Sequence, residues 1–227
     1  MILTVFISSI FATESSSIGK IMNLEGVVKV QNGIKKSRAN KGTLLYSENL
    51  IVTSKNAKAK ISLFDGSTIL MDEKSILRFL STTELEQQKG SILYQISKRD
   101  VKNSLHVKTA FAIIGVKGTR FIVNSKNDDK TVLLDEGLIG IKSIKEKFKY
   151  YKEKECSEYE KFLKEQNSAF KSFKSKQEKE FIAFVNEFDL EPGRMITFTN
   201  SRVDEVQIEK EANSQFEHFK RIQSDFK

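Results

Sequence analysis

Residues 107–123 read V-K-T-A-F-A-I-I-G-V-K-G-T-R-F-I-V, and little else in the chain limits its fold so tightly. Two short apolar runs flank a polar pivot, Gly115-Val116-Lys117-Gly118-Thr119-Arg120. Ile, Val and Phe dominate the runs, which favours strands over helix. Two glycines three apart within a strand pattern point to a bulge or a close backbone approach. Thr119 suits a turn, where its hydroxyl can bond nearby backbone. Beyond it, Phe121 and Val123 fall on one face of the outgoing strand and Ile122 on the other.

The same pattern continues on both sides. From Ile18 to Ile144, short β runs recur about every ten residues between turn residues, the spacing of an all-β sandwich, barrel or solenoid. Asn32-Gly33 marks a hairpin. Residues 57–63, A-K-A-K-I-S-L, alternate apolar with polar, and Asp65-Gly66 turns the chain after them.

Four segments, in order, resemble the FecR-like domain of bacterial envelope proteins. The pivot matches its V-x-T-P … V-R-G-T-x-F-x-V core through Thr109, Gly118, Thr119 and Phe121, with Ala110 in the usual proline position and Lys117 in the usual arginine position. Residues 26–30, G-V-V-K-V, are similar to the opening strand. Phe64 and the trio Asp65, Gly66 and Ser67 are similar to the L-x-D-G-S turn. Residues 136–141, beginning Glu136-Gly137, are similar to the closing E-G-x-V-x-V. The resemblance spans roughly residues 20–144. It implies a mainly β fold, solenoid-like or an irregular sandwich, and an envelope location, with these motif residues structural. It names no ligand.

At Lys145 the composition changes. Residues 145–188 hold no Gly or Pro and are rich in Lys, Glu, Phe and Tyr. Phe148, Tyr159, Phe170 and Phe181 stand eleven apart, and so do Tyr151, Phe162, Phe173 and Phe184. That repeat predicts a long helical insertion over 145–189 with one aromatic stripe, to be buried against the chain itself or a partner. Tyr159, Phe162, Phe170, Phe173, Phe181 and Phe184 are therefore candidate partner contacts, and coiled-coil-like pairing of such helices would give a homo-oligomer. Leu190-Glu191-Pro192-Gly193 ends the helix. Residues 190–208 read as a hairpin around Asn200-Ser201 that completes the β domain, and residues 209–227 as a C-terminal helix.

Residues 2–12 are an apolar run, too short to span a membrane but suited to the core of a secretory signal over 1–17. The expectation is a periplasmic or otherwise exported chain without a spanning segment after maturation. Cys156 is the one cysteine, so no internal disulfide forms. The net charge is +8, and residues 20–144, with 21 Lys and Arg against 12 Asp and Glu, carry the basic excess. A basic face attracts polyanions. Outside the cytoplasm these are envelope glycans, anionic lipid headgroups and acidic proteins; no stacking or recognition-helix pattern points to nucleic acid.

Nothing in the sequence reads as catalytic. His106 and His218 are far apart, and no His or Cys cluster suggests a metal. Asp65 fits a turn better than acid–base work. Gly115-x-x-Gly118 lacks the Lys-Ser/Thr of a phosphate loop. No enzyme, cofactor or metal is expected. The reading is an exported, non-catalytic module that binds an envelope protein or anionic glycan. The first alternative is a periplasmic sensor subunit of a FecR-type system acting on sigma-factor regulation. The second, a glycan-active enzyme, lacks a paired-carboxylate constellation.

Overall fold

The computed structural model describes residues 16–98, 104–127, 129–153, 179–208 and 210–226. Nineteen strands and one helix follow in order among them. The strands are β1 (Gly19–Glu25), β2 (Val28–Asn32), β3 (Lys35–Arg38), β4 (Leu44–Leu45), β5 (Leu50–Thr53), β6 (Lys58–Leu63), β7 (Thr68–Met71), β8 (Ile76–Phe79) and β9 (Glu84–Gln95). After these come β10 (Leu105–Lys108), β11 (Ile113–Val116), β12 (Arg120–Ser125), β13 (Lys130–Glu136), β14 (Ile139–Lys142), β15 (Phe148–Glu153), β16 (Lys179–Val185), β17 (Glu187–Leu190), β18 (Arg194–Thr199) and β19 (Arg202–Gln207). The helix α1 is Lys210–Asp225.

The strands form two layers. The middle sheet runs β4-β1-β6-β7-β9-β12-β13-β18-β19-β15-β16. The outer sheet runs β3-β2-β5-β8-β9-β10-β11-β14-β17. Pairing is antiparallel except at β9–β10 and β15–β19. Alternation drives the layering. In β6, Ala59, Ile61 and Leu63 point inward while Lys58, Lys60 and Ser62 do not, the pattern of a sheet with one buried face. The core between the sheets includes Ile21, Val28, Ile51, Ile61, Tyr94 and Phe121.

Strand β9 joins the layers. Glu84–Lys89 pairs in the outer sheet and Gly90–Gln95 in the middle sheet. A register shift against β8 leaves Gln88 extra, and Gly90 takes φ +96°. The bulge and the glycine turn the strand from one layer to the other. Buried Gln87 holds the crossing: its Nε2 donates to the carbonyls of Gly90 at 3.0 Å and Val123 at 2.9 Å, and Tyr94 Oη donates to its Oε1 at 2.9 Å.

Helix α1 makes a third layer. Phe216, Phe219 and Ile222 cover Leu70, Leu93, Ile122 and Leu133 on the other face of the middle sheet. Polar tethers fix it: Asn124 Nδ2 donates to Gln215 Oε1 at 2.8 Å, and His218 Nε2 lies 2.9 Å from Asp72 Oδ2. None of the described helices is long and apolar enough to cross a membrane.

The expected long helical insertion is overturned. Its first residues are strand β15 and its last are β16 and β17. Phe148 pairs with Val185 and Glu153 with Lys179, so the chain leaves and returns side by side. The physical reason is a competing period of two. Phe148 and Tyr150 both face the sandwich core, where Phe148 meets Phe198 and Phe188, and Tyr150 stacks on Phe188 at 4.7 Å. Burying those rings between two sheets outweighs the helical spacing of the same aromatics. Tyr159, Phe162, Phe170 and Phe173 lie outside the described residues, as do Cys156 and residues 1–15 of the expected signal.

Candidate functional site

The motif residues converge on one end of the middle sheet. Thr68, Gln95, Arg120 and Glu136 form one row across β7, β9, β12 and β13, and the motif turns stand at that row. Asp65 closes its turn by accepting from Ser67 N at 2.9 Å and Ser67 Oγ at 2.8 Å, with Gly66 at φ +87°. Ser67 Oγ accepts in turn from Ser97 N at 3.1 Å. Gly118, at φ +63°, lies against Lys98: a Cβ built on it would stand 2.6 Å from that side chain. A Cβ on Gly137 would stand 2.6 Å from the Gly118 carbonyl and 2.6 Å from Thr119 Cγ2. Buried Thr119 and exposed Glu136 complete the seam. Phe121 is fully buried and stacks on Tyr94 at 5.0 Å. Thr109 lies apart, in the β10–β11 turn, where its Oγ1 accepts from Ala112 N at 2.9 Å.

These contacts make turns that let strands end in register. Gly118→Val should therefore lower stability by about 1–3 kcal/mol, since a β-branched residue at positive φ is strained and here also meets Lys98. A thermal melt that matches the unsubstituted protein would refute this account of the turn.

The solvent-facing side of the outer sheet carries a cleft of 460 Å³. His106, Gly115, Gly140 and Asp189 lie in one cross-strand row over β10, β11, β14 and β17. The two glycines floor it. A Cβ on Gly115 would lie 3.9 Å from the His106 ring, and one on Gly140 would lie 3.5 Å from Asp189 Oδ1. Imidazole and carboxylate thus lean over the floor from opposite walls, with Lys142 and Glu187 in the adjoining row. The cleft offers donors and acceptors of both charge signs. Gly115 is no bulge; it makes room.

Beside the cleft, β16 is an edge strand that pairs with β15 alone among the described residues. Phe181, Ile182 and Phe184 are 44%, 51% and 57% exposed. Phe181 and Phe184 touch edge to face at 5.2 Å, Tyr151 meets Phe181 at 5.5 Å, and the Arg202 guanidinium lies 3.9 Å over Tyr151. Two of the six candidate partner contacts thus lie in an exposed aromatic group on strands.

Behind this edge sits a buried carboxylate, Glu205. Tyr150 Oη donates to its Oε2, and Lys152 Nζ and Arg194 Nε stand 3.5 Å and 3.7 Å from its Oε1. Burial, then the hydrogen bond to Glu205 and its charge, push the Tyr150 phenol well above its usual 10.0. A raised pKa favours the protonated folded state, so this contribution is complete below pH 10 and is lost as pH rises beyond it. Melting temperature should fall above pH 10, and Tyr150→Phe should flatten that fall. Identical alkaline slopes for both proteins would contradict this.

The sequence reading missed the cleft and the Glu205 cluster. Mid-strand glycines at 115 and 140 were the available signal for the cleft. Glu205 carried none, because its partners Tyr150 and Lys152 lie more than fifty residues away in sequence. Among the described residues no group of three His, Cys, Asp or Glu is placed to hold a metal.

Residues 49–140 match the family model described as FecR protein. No curated protein matches the sequence. Two crystal structures described as a "putative anti-sigma factor" from Parabacteroides distasonis ATCC 8503 are similar. The 1.65 Å structure has a TM-score of 0.50 and 13% identity, covering 74% of this chain and 63% of that one. The 2.50 Å structure has a TM-score of 0.47 and 13% identity, covering 73% and 62%. At that identity the first shows a shared fold alone, and this chain spans 63% of that chain's length. The family match and the motif turns meet in the same strands: the chain carries a FecR domain, matched over residues 49–140.

Proposed function

We propose that the chain is an exported, non-catalytic FecR-type module that works in signalling by binding an envelope protein through the β15–β16 edge. The carrying observation is the exposed group Phe181, Ile182 and Phe184 on a strand whose outer edge is open among the described residues. An open edge offers main-chain hydrogen bonds to an incoming strand, and exposed aromatics supply contact area. The FecR match supports the signalling side of this reading. A periplasmic sensor subunit acting on sigma-factor regulation is the specific form that it favours.

The test has two arms. Fractionation with mass spectrometry of the mature N-terminus should find the chain outside the cytoplasm, starting between Thr13 and Gly19. A photo-crosslinker at Phe184 in intact cells should capture one envelope protein, and Phe181→Ser should abolish that product. A cytoplasmic chain defeats export; a crosslink indifferent to Phe181→Ser defeats the proposed edge.

A further inference from the structure

At the far end of the outer sheet from the cleft, the β2–β3 hairpin gathers charge of one sign. Lys29, Lys35, Lys36, Arg38 and Lys41 fall in a stretch that holds no Asp or Glu from residue 26 to residue 47. All five are exposed. None makes an ion pair among the described residues. Lys29 and Arg38 sit directly opposite each other across the strands. Like charges so placed repel and weaken a hairpin.

Ile34 stands at the tip. Gly33, at φ +57°, takes the first loop position and Ile34 the second, between the paired residues Asn32 and Lys35. Ile34 is 102% exposed, so no part of its side chain is covered. Gln31 Nε2 braces the loop by donating to the Gly33 carbonyl at 2.8 Å. Behind the tip, the outward row continues from Arg38 and Lys29 to half-buried Val52 and Ile76 on β5 and β8. The outward face therefore combines Lys29, Lys36 and Arg38 with an apolar strip, and Ile34 adds an apolar point at the tip.

Lysines on an edge strand also deter unwanted strand pairing. That role needs neither a bare isoleucine at the tip nor a cation facing another cation. A soluble polyanion would account for the cations but not for Ile34. A lipid surface accounts for both, because anionic headgroups attract Lys and Arg while the boundary region takes in apolar side chains. The geometry points to the β2–β3 hairpin as a contact for anionic lipid membranes, with Ile34 inserting and Lys29, Lys36 and Arg38 meeting headgroups. This surface is separate from the β15–β16 edge, and neither proposal depends on the other.

Flotation of the whole chain with vesicles tests it. The protein should float with phosphatidylglycerol–phosphatidylcholine vesicles and not with pure phosphatidylcholine, and added salt should weaken the binding. Lys36→Ala/Arg38→Ala should weaken it roughly 25-fold, at about fivefold per cation. Ile34→Ser should weaken it roughly tenfold while leaving binding to dextran sulfate unchanged. All three substituted residues are exposed, so melting temperatures should stay the same and serve as the folding control. Absence of flotation overturns the proposal. So does equal vesicle binding by Ile34→Ser and the unsubstituted protein, which would make the hairpin a general polyanion site.

Discussion

Replacing Gly90 with valine is expected to cost about 3 kcal/mol or more, a large share of the stability of an ordinary domain. Two terms add. At φ +96° an L side chain is strained. A Cβ there would also stand 2.1 Å from Ser75 Oγ, 2.4 Å from Ser75 Cα and 2.6 Å from Ser75 Cβ. A hydroxyl can rotate away, but a backbone Cα cannot move without shifting β8. Gly33→Val is the control, since Gly33 also has positive φ but nothing within 4 Å of its Cβ position. Denaturant titrations of the two variants separate strain from collision. Equal losses would mean that the crossing of β9 tolerates a side chain, and that its bulge rather than Gly90 makes the turn.

Phe121→Ala is expected to cost about 3–5 kcal/mol, the range for emptying a buried aromatic site. Phe121 is fully buried and stacks on Tyr94, which in turn bonds Gln87 at the β9 crossing. The cavity would therefore open beside β9, the strand that both sheets share among the described residues. Ile122→Ala, one residue on, opens the other core, beneath Phe216 and Phe219. Hydrogen exchange tells them apart: Ile122→Ala should speed exchange in α1 first, whereas Phe121→Ala should speed it in both sheets. A Phe121→Ala protein with unchanged midpoint would remove Phe121 from the core's main support.

Both effects bear on how the functional surfaces are held. The cleft depends on β10, β11, β14 and β17 keeping register, since its floor is one glycine from each of two central strands. The β15–β16 edge depends on Phe148 and Tyr150 anchoring into the core and on Glu205 behind it. The hairpin with Ile34 hangs on β2, whose Val28 and Val30 are buried. Each surface is exposed, yet each is positioned by buried neighbours.

Local chemistry determined much of this chain. Alternating residues such as 57–63 specify strands with one buried face, and Asp65-Gly66-Ser67, Asn32-Gly33 and Gly118-Thr119 specify turns, because these residues carry their own conformational preference. Tertiary structure alone decided the rest. Phe148, Tyr151, Phe181 and Phe184 satisfy a helical spacing as readily as Phe148 and Tyr150 satisfy an alternating one, so periodicity leaves the choice open there. The sandwich resolves it by giving Phe148 and Tyr150 aromatic partners in Phe188 and Phe198, which lie 38 to 50 residues further along the chain. Ile122 is buried only because α1 returns to cover it, and the cleft exists only because register sets Gly115 opposite Gly140. Pairings between distant strands gain their energy from burial across the assembled layers, and no window of neighbouring residues contains that information.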